Sequence, residues 1–521
     1  MKNKFIYSLA AALCISIISY AQEKQNISVL YVGYSAEKPI QENLESIVVS
    51  GGMTPKRFKQ EYGKRMPAFK ALLETHFNKV KTVDARDYKE AMSSNYDVTV
   101  FDEAPTLIKD RVIHNDPVTG KFVSMEPAKY VSDDFNRPSI FIAHTSSIIG
   151  ASLGSKLDWY CLCLDRHAHY IKTEHAIFKG PFKTEITLKN RPTPHGVLKA
   201  FDGLDEPTEI PMWEVDSEGY EDGKGFRIGM VARGWGFEDS PESEIISSGE
   251  CSKHKTAVAL GRHGNFFLWG FAGSPDYMTK EAKIVFANAI VYTNKNADDK
   301  IIVRKYNQRI ATKEYIDEML FYTTKPSYLS YVEFYKKINE ETEKQKIALE
   351  KKQAANEELT QFEKRMLNSK PQVIATREGY LKKNIGRNSW VEITGLDTLA
   401  IRKYLNENRD YFYSEPNGFY DLKVDDDIKS LGIANTDIKV LDKAISMLEK
   451  GVEKEKAHRI LLRYTLEDFT SPKAWRTWFN KHKNNMFFTE AGGYVWMIND
   501  VNANPKVRPR NEVDIVSNKA N

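Results

Sequence analysis

Between Ile27 and Lys295, short and nearly continuous apolar runs alternate with segments of helical spacing, and no other feature restricts the fold so tightly. Ile27-Ser28-Val29-Leu30-Tyr31-Val32 is β-rich and ends at Gly33. Val80 to Val83 is a second run. Tyr96-Asp97-Val98-Thr99-Val100-Phe101 is a third, ending at Asp102-Glu103-Ala104-Pro105, and Ser139-Ile140-Phe141-Ile142-Ala143 is a fourth, ending at His144. Phe58, Phe69, Leu72, Leu73 and Phe77 fall mostly at helical spacing between the first two. Strands that are apolar on both sides must be covered on both sides, which predicts an α/β domain with a parallel sheet sandwiched by helices. Ligands of such sheets bind beyond the carboxyl ends of the strands. Glu103 and His144 lie on that edge and are binding candidates for this reason.

From Pro181 to Phe271 the pattern changes. Phe226 to Val231, Thr256 to Leu260 and Asn265 to Trp269 read as strands, with Gly261-Arg262-His263-Gly264 as a turn. Thr279 to Tyr292 reads as a helix with Ala282, Val285, Phe286 and Ile290 inward, closing a domain over 27–295. A chain of 521 residues is too long for one core, so further units are expected. Pro326 suits a helix start. The following charged stretch lacks Gly and further Pro up to Leu367, so 312–370 reads as a long connecting helix region closed by Pro371. Tyr331, Tyr335, Ile338, Leu349, Leu359 and Met366 keep heptad spacing, but Thr342, Gln345, Lys352 and Asn356 break the seam, favouring a solvated helix over a coiled coil.

Residues 374–500 read as a small, mostly helical module. Its signals are a helix through Leu399–Leu405 and another through Val440–Leu448 that stops at Gly451. Trp475 and Trp478-Phe479 lie one helical turn apart, and a hairpin turns at Gly492-Gly493. These aromatics are expected in a core; the alternative is a face that binds a protein partner. Residues 502–521 are polar and read as a disordered tail. Asp425-Asp426-Asp427 lacks calcium-loop spacing and suits a helix N-terminus.

Lys2 and Lys4, the apolar run Phe5 to Tyr20 and the small residues of Ser19-Tyr20-Ala21 read as a signal peptide over 1–21, predicting an exported protein. Nothing later is long and apolar enough to span a bilayer. Lys and Arg number 75 against 71 Asp and Glu, so bulk charge does not suit nucleic acid. Cys161, Cys163 and Cys251 would remain after cleavage. An odd count in an oxidising compartment leaves at least one thiol free, metal-bound or intermolecular. Two cysteines two apart on one strand face are poorly placed to bond to each other; Cys251 bridging to one of them, or three buried reduced thiols, are the alternatives.

Two stretches carry candidate chemistry. Gly150-Ala151-Ser152-Leu153-Gly154 reads G-x-S-x-G. With Ser146 to Ile149 as a strand, Ser152 would sit on a nucleophile elbow, served by Asp205 or Asp216 and then His254 or His263; the alternative is a glycine-rich helix entry. On one strand, Cys161, Cys163, Asp165, His167 and His169 would share a face. Imidazoles about 7 Å apart can converge on one Zn²⁺, whereas five side chains spanning roughly 27 Å cannot. His167 and His169 with His144, His175 or Asp165 form the candidate zinc set; the alternative is a strand leaving the core with solvated ends. No Walker loop or dinucleotide fingerprint is present.

Taken in order, several of these pieces resemble the ThuA-like (trehalose-utilisation-like) branch of the class I glutamine amidotransferase-like superfamily. Tyr96 to Asp102 is similar to that family's strand ending in an acidic residue, and Phe141-Ile142-Ala143-His144 to its strand ending in histidine. His175-Ala176-Ile177-Phe178-Lys179-Gly180 resembles its H-P-I-x-x-G turn, with Ala176 where Pro is usual. Ala259 to Gly264 resembles its C-terminal end. Asp205-Glu206 matches its acidic pair without the aromatic residue expected after it. The resemblance covers about half of the chain and stops before Lys295. It implies a flavodoxin-like fold, with His144 at the turn where amidotransferases hold a nucleophilic cysteine, and so no glutamine hydrolysis. It also implies carbohydrate-related binding or processing, with a carbohydrate ligand near Glu103, His144, Asp205 and Glu206. The competing readings are a serine hydrolase and a non-catalytic scaffold.

Overall fold

The computed structural model describes residues 23–38, 55–120, 122–194, 197, 207–218, 228–251, 256–305, 310–359, 361–414 and 420–500. The predicted leader 1–21, the tail 502–521, and Asp205, Glu206 and His254 lie outside the described residues.

The first unit is built on β1 (Gln25–Gly33), β2 (Phe77–Asp84), β3 (Val98–Phe101), the separate hairpin β4 (Val112–Asn115) and β5 (Phe122–Glu126), β6 (Ser139–Ile142), β7 (Trp159–Leu164), β8 (His167–His169), β9 (Leu188–Pro192), β10 (Glu209–Glu214), β11 (Gly229–Ala232), β12 (Ser243–Gly249), β13 (Val258–His263) and β14 (Phe266–Trp269). Apart from the hairpin, they form one twelve-stranded sheet. β2, β1, β3, β6 and β14 lie side by side in that order and run parallel. β1, β2, β3 and β6 contain the four apolar runs that predict a parallel sheet, whereas β14 comes from the stretch where the pattern changes; every residue of β3, β6 and β14 is buried.

The sheet is not parallel throughout. From β14 it continues antiparallel through β13, β12, β8, β10 and β9, with β11 between β13 and β7. The tight connection at Gly264 (φ +59°) explains the switch. So short a link can join only antiparallel neighbours, whereas parallel strands need a long crossover.

One face of the parallel half carries the helices Pro55–His76 and Lys280–Lys295. Tyr31 stacks on Phe69 at 5.0 Å, and Trp269 meets Phe286 edge-on at 5.1 Å. On the opposite face Phe101, Phe141 and Phe266 pack with Tyr88 and Phe135. Those two residues come from segments flanking short elements, so the helical cover of the two faces is uneven.

The connecting region departs further from expectation. The helix Lys325–Ala354 is capped by Thr324, whose hydroxyl accepts from the Ser327 N–H, and it ends before the predicted Leu367. Asn356 takes φ +59°, a conformation Asn tolerates, and the Glu357 N–H closes on the Lys352 carbonyl at 3.1 Å. The chain then returns along the helix as Gln361–Leu367, fastened by Lys352 to Glu363 at 2.8 Å and by paired bonds between Asn339 and Gln372. A helical hairpin replaces the single long rod.

Seven α-helices between Arg377 and His482, with two small hairpins, make the last unit among the described residues. Gly451 ends the helix Lys439–Lys450 in the left-handed region at φ +74°. Asp425 caps the next shorter helix upstream by accepting from the Ile428 N–H at 3.2 Å. Trp475, Trp478 and Phe479 are buried in this core and are not a partner-facing surface. Met486–Thr489 pairs antiparallel with Val495–Ile498 as the hairpin signal predicted.

Candidate functional site

The carboxyl ends of β1, β3, β6 and β14 gather a buried set of polar groups. Asp102, just after β3, accepts two hydrogen bonds from Arg65 at 2.7 Å each and one from the Tyr31 hydroxyl at 2.6 Å. Arg65 also donates to the Ala272 carbonyl at 2.9 Å and lies 3.5 Å from Glu61. Burial alone would lower the Arg65 guanidinium, but the Asp102 carboxylate overrides it and raises it well above its usual value. Asp102 is thereby consumed in holding helix Pro55–His76 to the sheet edge.

Glu103, the next residue, is differently placed. One carboxylate oxygen accepts from the Tyr62 hydroxyl at 2.6 Å, and the other lies 3.5 Å from His144 Nε2. The turn after β6 sets this pair. Ala143 sits at φ +48°, a strained value for a residue with a side chain, and its N–H donates to the Trp269 carbonyl at 2.8 Å. Thr145 pins the same turn by donating to the carbonyls of Phe101 and Ile142 at 2.9 Å. His144 is thus swung toward the end of β3.

Asp216 completes the set. Its Oδ2 accepts from the Gly273 N–H at 3.1 Å, while Oδ1 is buried with no hydrogen-bond partner among the described residues. A Cβ at Gly273 would lie 2.5 Å from that carboxyl, so glycine is needed for the approach. Burial pushes the Asp216 carboxyl up to about 7, despite the Gly273 N–H and the Arg65 charge, which favour the anion. The Glu103–His144 pair sets a hydrogen-bond acceptor beside an imidazole, and Asp216 lies on the far side of Arg65 as a separate buried carboxyl.

The other predicted sites are not assembled. Ser146 to Ile149 lies in the helix Thr145–Gly150, not in a strand, so no elbow delivers Ser152. The Ser152 hydroxyl donates to the Ile149 carbonyl at 3.0 Å. His263 Nδ1 accepts from the Lys156 N–H at 2.9 Å and its Nε2 lies 3.2 Å from Glu242, so neither nitrogen faces Ser152. Burial lowers the His263 imidazole, partly offset by Glu242. Asp216, a candidate partner for that serine, serves the carboxyl edge instead.

The run from Cys161 to His169 is two strands, not one. β7 pairs with β11, whereas β8 lies between β12 and β10. His167 Nδ1 is 2.7 Å from Glu250, and His169 is lowered to about 4 by burial. His175 caps a helix by accepting from the Ile177 N–H at 3.4 Å, with Nε2 3.5 Å from Glu244. Among the described residues, these histidines do not bring three ligand atoms together, which removes the predicted zinc set. Cys161 and Cys163 are joined as a disulfide, against expectation. Register shifts in the β7–β11 pairing bend the strand, and the two Cα atoms are 5.3 Å apart, closer than the roughly 6.6 Å of a regular strand.

Sequence reasoning found Glu103 and His144 but missed Arg65, Tyr62, Asp102 and Tyr31. A signal existed: Tyr62, Arg65, Phe69, Leu72 and Leu73 lie on one helical stripe, so Arg65 was an arginine on an apolar face. No family model, curated protein or solved structure matches the chain.

Proposed function

We propose that this chain is an exported ThuA-like protein whose α/β domain binds or processes a carbohydrate-related ligand at the carboxyl edge of its sheet. The supporting observation is the Glu103–His144 pair, held 3.5 Å apart at the ends of two adjacent parallel strands. Sugars are recognised by side chains that both accept and donate hydrogen bonds to hydroxyls. Glu103 supplies the acceptor, His144 a donor or acceptor according to its tautomer, and Asp216 a carboxyl proton near neutral pH. The order β2-β1-β3-β6-β14 coincides with the flavodoxin-like arrangement, which supports the fold that the resemblance implies. The strained turn position after β6 is held by Ala143, one residue before the His144 that the resemblance put there, and Ala143 offers no nucleophile, in keeping with chemistry other than amide hydrolysis.

The test is calorimetric titration of the full chain with a panel of hexoses, amino sugars and reducing and non-reducing disaccharides, with product analysis of each mixture. Glu103→Gln and His144→Ala are each expected to weaken binding of the active panel member at least tenfold, corresponding to about 1.4 kcal/mol or more. Binding that neither substitution changes, or no binding across the panel, overturns the proposal.

A further inference from the structure

We infer that Cys161, Cys163 and Cys251 form a three-sulfur site for one thiophilic d¹⁰ cation, Zn²⁺ or Cu⁺. It uses none of the residues assigned to the carbohydrate reading and stands independently of that reading. Two strands deliver the sulfurs. Cys161 and Cys163 come from β7, with Cys161 opposite Val231 of β11. Cys251 follows β12, whose last residues are tied to β8 by the pairing of Gly249 with Ala168 and by the Glu250 N–H donating to the His167 carbonyl at 2.8 Å. Gly249 makes the approach possible: a Cβ there would run into Leu164 of β7 and lie 2.8 Å from Ala259 Cβ.

The three Sγ atoms all lie within 4.8 Å of one another, and Cys163 Sγ is 2.9 Å from Cys251 Sγ. No other group of three His, Cys, Asp or Glu side chains among the described residues converges in this way. Zn–S bonds of about 2.3 Å at tetrahedral angles separate sulfurs by about 3.8 Å, within the reach of this cluster. An all-thiolate set selects soft cations over Mg²⁺ or Ca²⁺. Zn²⁺ would keep a fourth position for a further donor, whereas Cu⁺ is satisfied by three sulfurs. Cys161 and Cys251 are buried and Cys163 is only half-buried, which leaves one side of the cluster open for entry.

The Cys161–Cys163 disulfide is the oxidised form of the same site. A dithiol reductant, itself closing to a disulfide, supplies two electrons and two protons. The S–S bond breaks and two thiols form. Cation binding then displaces the thiol protons to solvent as the three sulfurs bind as thiolates.

The test uses the full chain, reduced with excess dithiol, freed of it under argon and titrated separately with Zn²⁺, with Co²⁺ as a spectroscopic stand-in, and with Cu⁺ against a chromogenic chelator. One equivalent is expected to bind, with thiolate-to-cobalt charge-transfer absorption. Cys251→Ser and Cys163→Ser are each expected to abolish that absorption and weaken binding at least a hundredfold. Tighter binding in the zinc or the copper arm identifies the cation. If either variant does not fold, alkylation of the parent decides: bound cation should protect all three cysteines from iodoacetamide, mapped by mass spectrometry. A fully reduced parent that takes up less than a tenth of an equivalent of every cation overturns the inference. So does a folded Cys251→Ser variant that binds as tightly as the parent, or absence of protection.

Discussion

Asp216 carries the least ordinary proton at the carboxyl edge. Its carboxyl rises to about 7 in the folded chain because burial disfavours the anion, against about 3.9 in an unfolded chain. Between these values the folded protein holds a proton that the unfolded chain has released. Stability therefore falls as pH rises from about 4 to about 7, and the loss is complete above that window. Asp216→Asn keeps an acceptor for the Gly273 N–H and removes the ionisation. The variant should gain on the parent by about 5 °C in thermal midpoint at pH 8, with little difference at pH 4. The same difference at both pH values would show that Asp216 ionises normally. Glu103 and His144 were legible because each ends an apolar run. Asp216 stood out only as a partner for Ser152, because its place at this edge depends on the tertiary contact with Gly273.

Elements with local punctuation were readable, and those whose ends depend on a backbone conformation were not. The helix Lys439–Lys450 had an apolar stripe and a terminal glycine, and the structure places Gly451 in the left-handed region at φ +74°. Gly451→Ala forces a Cβ into that conformation, at a cost of about 1 kcal/mol. Chemical denaturation followed by tryptophan fluorescence should report it through Trp475 and Trp478, which are buried in the same core. An unchanged midpoint would remove the cap from the account of this element. The following helix, Lys454–Tyr464, gave no such cue, because its preceding residue Glu453 adopts φ +42° without being glycine or asparagine. The break at Asn356 was hidden for a related reason: no Gly or Pro marks it, and the surrounding residues are good helix formers. The seam between β7 and β8 misled in the opposite sense. An unbroken alternation of side chains crossed a corner, because Asp165 and Arg166 connect two strands with different partners.

The two halves of the molecule are joined where the G-x-S-x-G lies, and this accounts for a motif that serves no elbow. Gly154, at φ +67°, accepts from the Lys305 N–H at 2.7 Å, and Asp158 pairs with the buried Lys305 at 3.1 Å. Lys156, also buried, reaches Asp239 at 2.5 Å, the Phe237 carbonyl at 3.0 Å and the Ser240 hydroxyl at 2.7 Å. Asp239 in turn accepts from the Glu490 and Ala491 N–H groups at 2.8 and 2.9 Å and from the Thr489 hydroxyl at 3.0 Å. One carboxylate thus ties the α/β domain to the C-terminal hairpin and neutralises a lysine withdrawn from water. No spacing in the chain announces a contact between residues 239 and 490. Asp239→Ala leaves Lys156 without its counter-charge and three donors of the hairpin without their acceptor, a loss of about 3–5 kcal/mol if the lysine stays buried. The weakness should appear at the junction first, since most of each core lies within its own half, with Trp235 of the α/β domain reaching into the second. Limited proteolysis of Asp239→Ala is expected to separate the two halves at protease levels that leave the parent intact. Asp239→Asn, which retains an acceptor but not the charge, should fall between them. Equal resistance in all three proteins would mean that the other links across the junction, the apolar contacts of Ile302 and Val303 with Val495 and Met497 and those of Trp235 with Tyr315, hold it without the carboxylate.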